Sequence, residues 1–181
     1  MKKILAFILV CTLALLTLAG CANPKKSFKK LEEHIISKGE VEGDSYTLVL
    51  GETHEDDGAY YFRIAEKKGN TITLTLDVTP DKLTFLYSFS LILTKGSHDT
   101  VRWTYTAASG DEMGGIITPK EYVKSAYKLS YLSSNITDAV KIDSTAGLCQ
   151  SLCNYLLLSL ESDLSALELD AVDFGFKDFK K

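Results

Sequence analysis

The chain has no strong excess of either charge. Its 20 Lys and Arg face 24 Asp and Glu in 181 residues, a formal net charge of −4. Nucleic-acid binders show a clear basic excess, so nucleic acid is not an expected partner. Proline is scarce, at three residues, and there is no low-complexity tract, which excludes a collagen-like or disordered chain. No internal repeat of the length that builds solenoids is visible. Signatures of common enzymes are missing as well: there is no Gly-x-Ser-x-Gly, no His-Glu-x-x-His and no Walker-type loop. Nothing in the sequence calls for a cofactor. What is present, 45 % hydrophobic and 24 % charged residues, fits one ordinary globular domain.

Cysteine is also sparse, at four residues. Cys149 and Cys153 are spaced i, i+4 with no second pair nearby, which suits neither a zinc site nor a redox Cys-x-x-Cys. Adjacent helical turns hold two such side chains poorly for a disulfide. They are expected to be free thiols buried against the sheet.

The N-terminus reads as an address. Met1-Lys2-Lys3 is a basic start, and Ile4 to Leu18 is an apolar run broken only by Thr12 and Thr17. Small residues follow, as in a secretory signal. The run is shorter than the roughly 20 residues that span a bilayer. Leu18-Ala19-Gly20-Cys21 resembles the lipobox of bacterial lipoproteins, and the resemblance covers residues 1–21 alone. It implies that Cys21 receives long acyl chains of the palmitate kind and becomes the first residue after cleavage. Residues 1–20 would be the signal peptide, 21–26 the lipidated cysteine and its tether, and 27–181 one domain. Cleavage would leave 18 basic against 24 acidic residues, or −6. More than one acyl chain makes a stable anchor. The expected location is extracytoplasmic, on the cell membrane, or on the outer membrane of a two-membrane bacterium. Lys25, Lys26, Lys29 and Lys30 beside that anchor are candidates for anionic lipid headgroups or for plain solvation.

Periodicity predicts an α+β domain: a single antiparallel meander of five or six strands with helices packed on one face. Ser27 is placed to cap a helix over 28–38, with Gly39 as its stop. Alternating apolar residues mark strands near 46–50, 60–65, 71–78, 83–93 and 101–105, with Ile116-Ile117 as a possible sixth. Turns are expected at 67–70 and 79–82, with a longer connection over 95–100. Thr118-Pro119-Lys120-Glu121 reads as a capping box opening a helix. A longer helix is expected from Asp143 or Ser144 to about Leu160, apolar over a broad arc. A last short helix capped by Ser162 would follow.

Three constellations have chemical potential. His54, Glu55, Asp56 and Asp57 form a weak candidate for a hard cation, against the alternative of a solvated hairpin tip. Tyr60, Phe62, Phe85, Tyr87, Phe89, Trp103 and Tyr105 fall on one predicted sheet face, either as core or as the lining of a cavity for an apolar ligand. The opposite face, with Thr47, Tyr61, Arg63, Thr73, Thr75, Arg102 and Thr104, is a polar contact surface or a wet sheet face. The loop 109–115 is a recognition-loop candidate or a plain connection. These features lead to a membrane-tethered binding or interaction module. A carrier or sensor of a small apolar ligand is the alternative, and an envelope enzyme is a further one.

Overall fold

The computed structural model describes residues 24–55, 58–81, 84–123 and 126–167, with the backbone path alone at 24–27, 98–100, 118–123 and 126–128. The chain is α+β. Helix α1 (Pro24–Lys38) precedes eight strands and helix α2 (Ala139–Ser165) follows them. The strands are β1 (Glu40–Glu42), β2 (Ser45–His54), β3 (Tyr60–Lys68), β4 (Thr71–Thr79), β5 (Tyr87–Thr94), β6 (Ser97–Ala107), β7 (Glu112–Val123) and β8 (Ala126–Ser134). They form one antiparallel sheet in strict sequence order from β1 to β8. Among the described residues the sheet therefore has eight strands where the periodicity suggests five or six.

The additions lie where local signals mislead. Glu40-Val41-Glu42 is too short to show a period. The capping-box pattern at Thr118 is not used: β7 runs through it, and its ladder to β8 is irregular between Ile117 and Tyr122. Proline is tolerated in a strand at such a break, because no ladder donor is required of it. The expected long connections shrink too. Lys95-Gly96 alone joins β5 to β6, and four residues, 108–111, join β6 to β7. Gly69 has φ +53°, so the Gly69-Asn70 turn needs the left-handed backbone that glycine adopts freely.

Helix α1 starts at Pro24, three residues before the expected cap, with proline near the position its fixed φ favours. Helix α2 starts at Ala139, where the Asp138 side chain accepts from the Lys141 N–H at 2.8 Å. It runs unbroken past Ser162, so the separate last helix is not formed within the described residues; Leu169 and the 174–179 tail lie outside them.

Both helices bury most of their apolar residues against one sheet face. Phe28, Leu31 and Ile35 of α1 join Cys149, Leu152, Cys153, Leu156, Leu157 and Leu160 of α2 in a single core with alternate strand residues, Leu74, Leu76, Phe89, Leu91 and Trp103 among them. Glu32 of α1, 13 % exposed at its side chain, accepts ion pairs from Lys67 (3.4 Å) and Lys95 (3.1 Å). Trp103 faces Gly115 across the β6–β7 ladder, and its Nε1 donates past that glycine to the Ser130 carbonyl of β8 at 3.3 Å. A Cβ on Gly115 would collide with the Ser130 carbonyl oxygen.

Candidate functional site

The second sheet face can be read as rows running across the strands. One row is His54, Tyr60 and Thr79. The next is Glu52, Phe62, Asp77, Ser88, Thr106 and Glu112. The third is Val49, Ile64, Thr75, Ser90, Thr104 and Gly114. These side chains alternate with those of the core, as the strand period of two requires. Tyr60, Phe62, Ile64, Thr75, Asp77, Ser88, Ser90 and Thr104 are half-buried, whereas Glu52, His54 and Thr106 are exposed.

Rings line the β2–β3 part of this face. His54 and Tyr60 stack with centroids 4.3 Å apart and planes within 11°. Phe62 continues the file, 6.4 Å from Tyr60. Beside it on β4, partial burial holds the Asp77 carboxyl above its usual range, opposed by a hydrogen bond from Ser88. Thr75 and Ser90 share a hydroxyl hydrogen bond of 2.9 Å. The Thr79 hydroxyl oxygen is shielded from solvent and has no hydrogen-bond partner.

This arrangement divides the seven aromatic residues that the sequence places on one face. Phe89 (0 %), Trp103 (1 %) and Tyr105 (6 %) are buried in the core, with Phe89 and Trp103 stacked at 5.9 Å. Tyr87 is half-buried and tilts against Tyr105. Tyr60 and Phe62 lie on the second face, and Phe85 sits ahead of β5 with 39 % exposure. The cause is an inverted phase in β3. Its core-facing residues are Tyr61, Arg63 and Ala65, which pair with Val78, Leu76 and Leu74 of β4. Tyr61 and Arg63 thus leave the polar face where the alternation of the sequence would put them.

The helix side explains the inversion. Arg63 is 6 % exposed. Its Nε donates to Asp163 of α2 at 2.6 Å and its Nη1 to Thr53 at 2.8 Å. Gly51 makes the room: a Cβ there would press into the Arg63 guanidinium. The Tyr61 ring packs on Tyr155 of α2 at 4.9 Å. The Tyr155 hydroxyl donates to Glu55 at 2.7 Å, and burial together with that carboxylate pushes the phenol up. This polar cluster fastens α2 to the sheet with its donors and acceptors matched to one another. Sequence reasoning missed it, because an Arg in an alternating strand reads as solvent-facing.

The same cluster separates the cation candidates. His54 points to the second face while Glu55 bonds to Tyr155 on the helix side; Asp56 and Asp57 lie outside the described residues. Among the described residues no group of three or more His, Cys, Asp or Glu is placed to share a metal ion. Cys149 and Cys153 are free and buried, and burial pushes both thiols up to about 12. Of the lysines near the N-terminus, Lys29 pairs with Glu33 at 3.4 Å. Lys30 lines a shallow open groove of about 510 Å³ with Glu33, His34, Ser37, Ala166 and Leu167.

No protein-family model matches the chain, and neither a curated protein nor a solved structure matches it.

Proposed function

We propose that the chain is a membrane-tethered lipoprotein of the bacterial envelope that acts as a binding module, with the second sheet face as its contact surface. The observation that carries this reading is the one-sided use of the helices. Both spend most of their apolar residues on the first face, while the second keeps rows of rings and hydroxyls half-exposed. Loops are the usual place for function, but here most connections are tight turns and the broad feature is the sheet face.

The tether rests on the lipobox resemblance of residues 18–21. Helix α1 begins at Pro24, so two residues, Ala22 and Asn23, separate the acylated cysteine from a helix anchored in the core through Phe28. Two residues reach about 7 Å when extended. The domain is then held against the bilayer rather than swinging from it.

Two measurements test the two halves. Cells fed a labelled fatty acid should label the wild-type chain, and Cys21→Ser should remain uncut and unlabelled; a cut, labelled Cys21→Ser product overturns the tether. A photo-crosslinking residue at Thr104, on the second face, should give envelope adducts that the same residue at Ser151, exposed on α2, does not. Adducts from Ser151 alone, or from neither, overturn the contact surface.

A further inference from the structure

We infer that β8 pairs edge to edge with β8 of a second copy of this chain, antiparallel about a twofold axis at Ser130, to form a closed dimer. The inference concerns the rim of the sheet and does not rest on the second face being a contact surface.

The two rims of the sheet are built differently. β1 is three residues long, Glu40-Val41-Glu42, all exposed. A short strand with two carboxylates repels a like strand and offers little ladder, which is a usual protection of a sheet edge. β8 is nine residues long and holds one charged residue, Lys128. Among the described residues no strand lies beyond it. Apolar side chains stand where a protected edge carries charge: Tyr131 is 53 % exposed and Leu132 72 %. Leu132 is the extra residue of the β7–β8 irregularity, between Tyr131 opposite Gly115 and Ser133 opposite Gly114. Bulges often guard an edge, but this one presents a leucine rather than a lysine.

The backbone fixes the register. The Ser130 carbonyl points at β7, where it receives the Trp103 indole N–H and where a Cβ on Gly115 would strike it. Backbone groups of successive residues point to opposite sides of a strand. Those of Leu129 and Tyr131 therefore point away from β7, to the open side. In an antiparallel pair centred on Ser130, Leu129 of each copy exchanges both N–H···O bonds with Tyr131 of the other. The two residues also share a side of the sheet, opposite Ile117 and Gly115 of β7 and in phase with the core. The exposed Tyr131 ring of each copy then covers the half-buried Leu129 of the other, an aromatic–aliphatic cross-strand pair.

Charge and closure identify the occupant. From Leu129 to Ser134 the strand has no charge to set one copy against another, and its outward groups complement their own twofold image. A further copy cannot add at the far rim, because β1 offers three residues and two carboxylates. Pairing therefore stops at two instead of running on into a fibre. Helix α1 packs on β2 and β3, away from the joint.

The test uses the full chain. Cysteine variants are expressed in cells and their membranes mildly oxidised. At a non-hydrogen-bonded antiparallel position the two Cα atoms stand about 4.5 Å apart, within the roughly 4.4–6.8 Å that a disulfide spans. Ser130→Cys should give a disulfide-linked homodimer; the parent chain, and Glu42→Cys on β1, should not. In detergent micelles the full chain should sediment as a dimer. Tyr131→Lys, at an exposed position, should weaken that dimer by about tenfold or more, while Tyr131→Phe should keep it. A monomeric full chain, a homodimer linked through Glu42→Cys instead, or a dimer that Tyr131→Lys leaves unchanged overturns the proposal. A Ser130→Cys disulfide to a different protein also overturns it, because another occupant then holds the edge.

Discussion

Arg63 and Asp163 lie 100 positions apart in the chain, and their side chains meet at 2.6 Å under α2 with exposures of 7 % and 12 %. This pair sets the phase of β3. Arg63 must face the helix to reach Asp163, and with a period of two its neighbours Phe62 and Ile64 must then face away. The aromatic file on the second face is thus a consequence of an ion pair on the first.

Removing one partner should therefore be costly. Arg63→Ala leaves a mostly buried carboxylate without its cation, and a loss of about 3–5 kcal/mol is expected. The double substitution Arg63→Met with Asp163→Leu should recover most of it. Urea unfolding gives both values. A loss below about 1 kcal/mol for Arg63→Ala would place the pair among surface ion pairs in energetic terms.

Trp103 is the largest fully buried side chain. Trp103→Ala should cost about 3–5 kcal/mol, through lost burial and the cavity left behind. Trp103→Phe keeps a ring but loses the Nε1 hydrogen bond to the Ser130 carbonyl, and should cost less. A loss below about 1 kcal/mol for the alanine variant would defeat the core assignment.

Two glycines should respond in opposite directions. Gly115→Ala forces the new methyl into the Ser130 carbonyl and against the Tyr131 Cα, 2.7 Å away, so β7 and β8 must separate; a loss of about 1–3 kcal/mol or more is expected. Gly147 is a mid-helix residue of α2 with nothing within 4 Å of an added Cβ. Gly147→Ala should stabilise by about 0.5–1 kcal/mol. Thermal melts of the two variants should therefore shift to opposite sides of wild type.

The cysteines predict an alkaline limit. Burial raises both thiols from 9.0 to about 12. The unfolded chain thus releases protons that the folded chain keeps, and stability present in full below about pH 9 is lost as pH rises toward 12. Stability measured across that window should fall less steeply in a Cys149→Ala, Cys153→Ala double variant. At neutral pH neither thiol should react quickly with a labelling reagent in the native protein; rapid labelling of both contradicts their burial.

Strand β4 was fully legible in the sequence: Ile72, Leu74, Leu76 and Val78 are each 2 % exposed or less, and Thr71, Thr73 and Thr75 alternate with them. The meander, the helix near residue 30 and the buried cysteines were legible for the same reason, an apolar period with no polar residue hidden inside. β3 was not, because its core-facing set is Tyr61, Arg63 and Ala65, and the partner that licenses a buried arginine lies on α2. The segment over residues 118–123 was misread because a proline and a glutamate at capping-box spacing outweighed a strand whose ladder is irregular there. The candidate site inherits the β3 error. Tyr60 and Phe62 were visible as aromatics, but their side of the sheet depended on Arg63.

The strictly sequential strand order has a consequence for how the chain comes together. Every strand pairs with its neighbour in sequence, so each hairpin closes a short loop and the sheet can be zipped from one end. The helix that supplies more of the core comes late: α2 begins at Ala139, after the eight described strands, and Arg63 waits 100 residues for Asp163. During synthesis from the N-terminus, the part of the apolar face that α2 covers stays bare until that helix emerges. A chain ending at residue 138 should therefore collect in insoluble material or on chaperones, while the full chain stays in solution. Pulse-chase fractionation of the two lengths would show the difference.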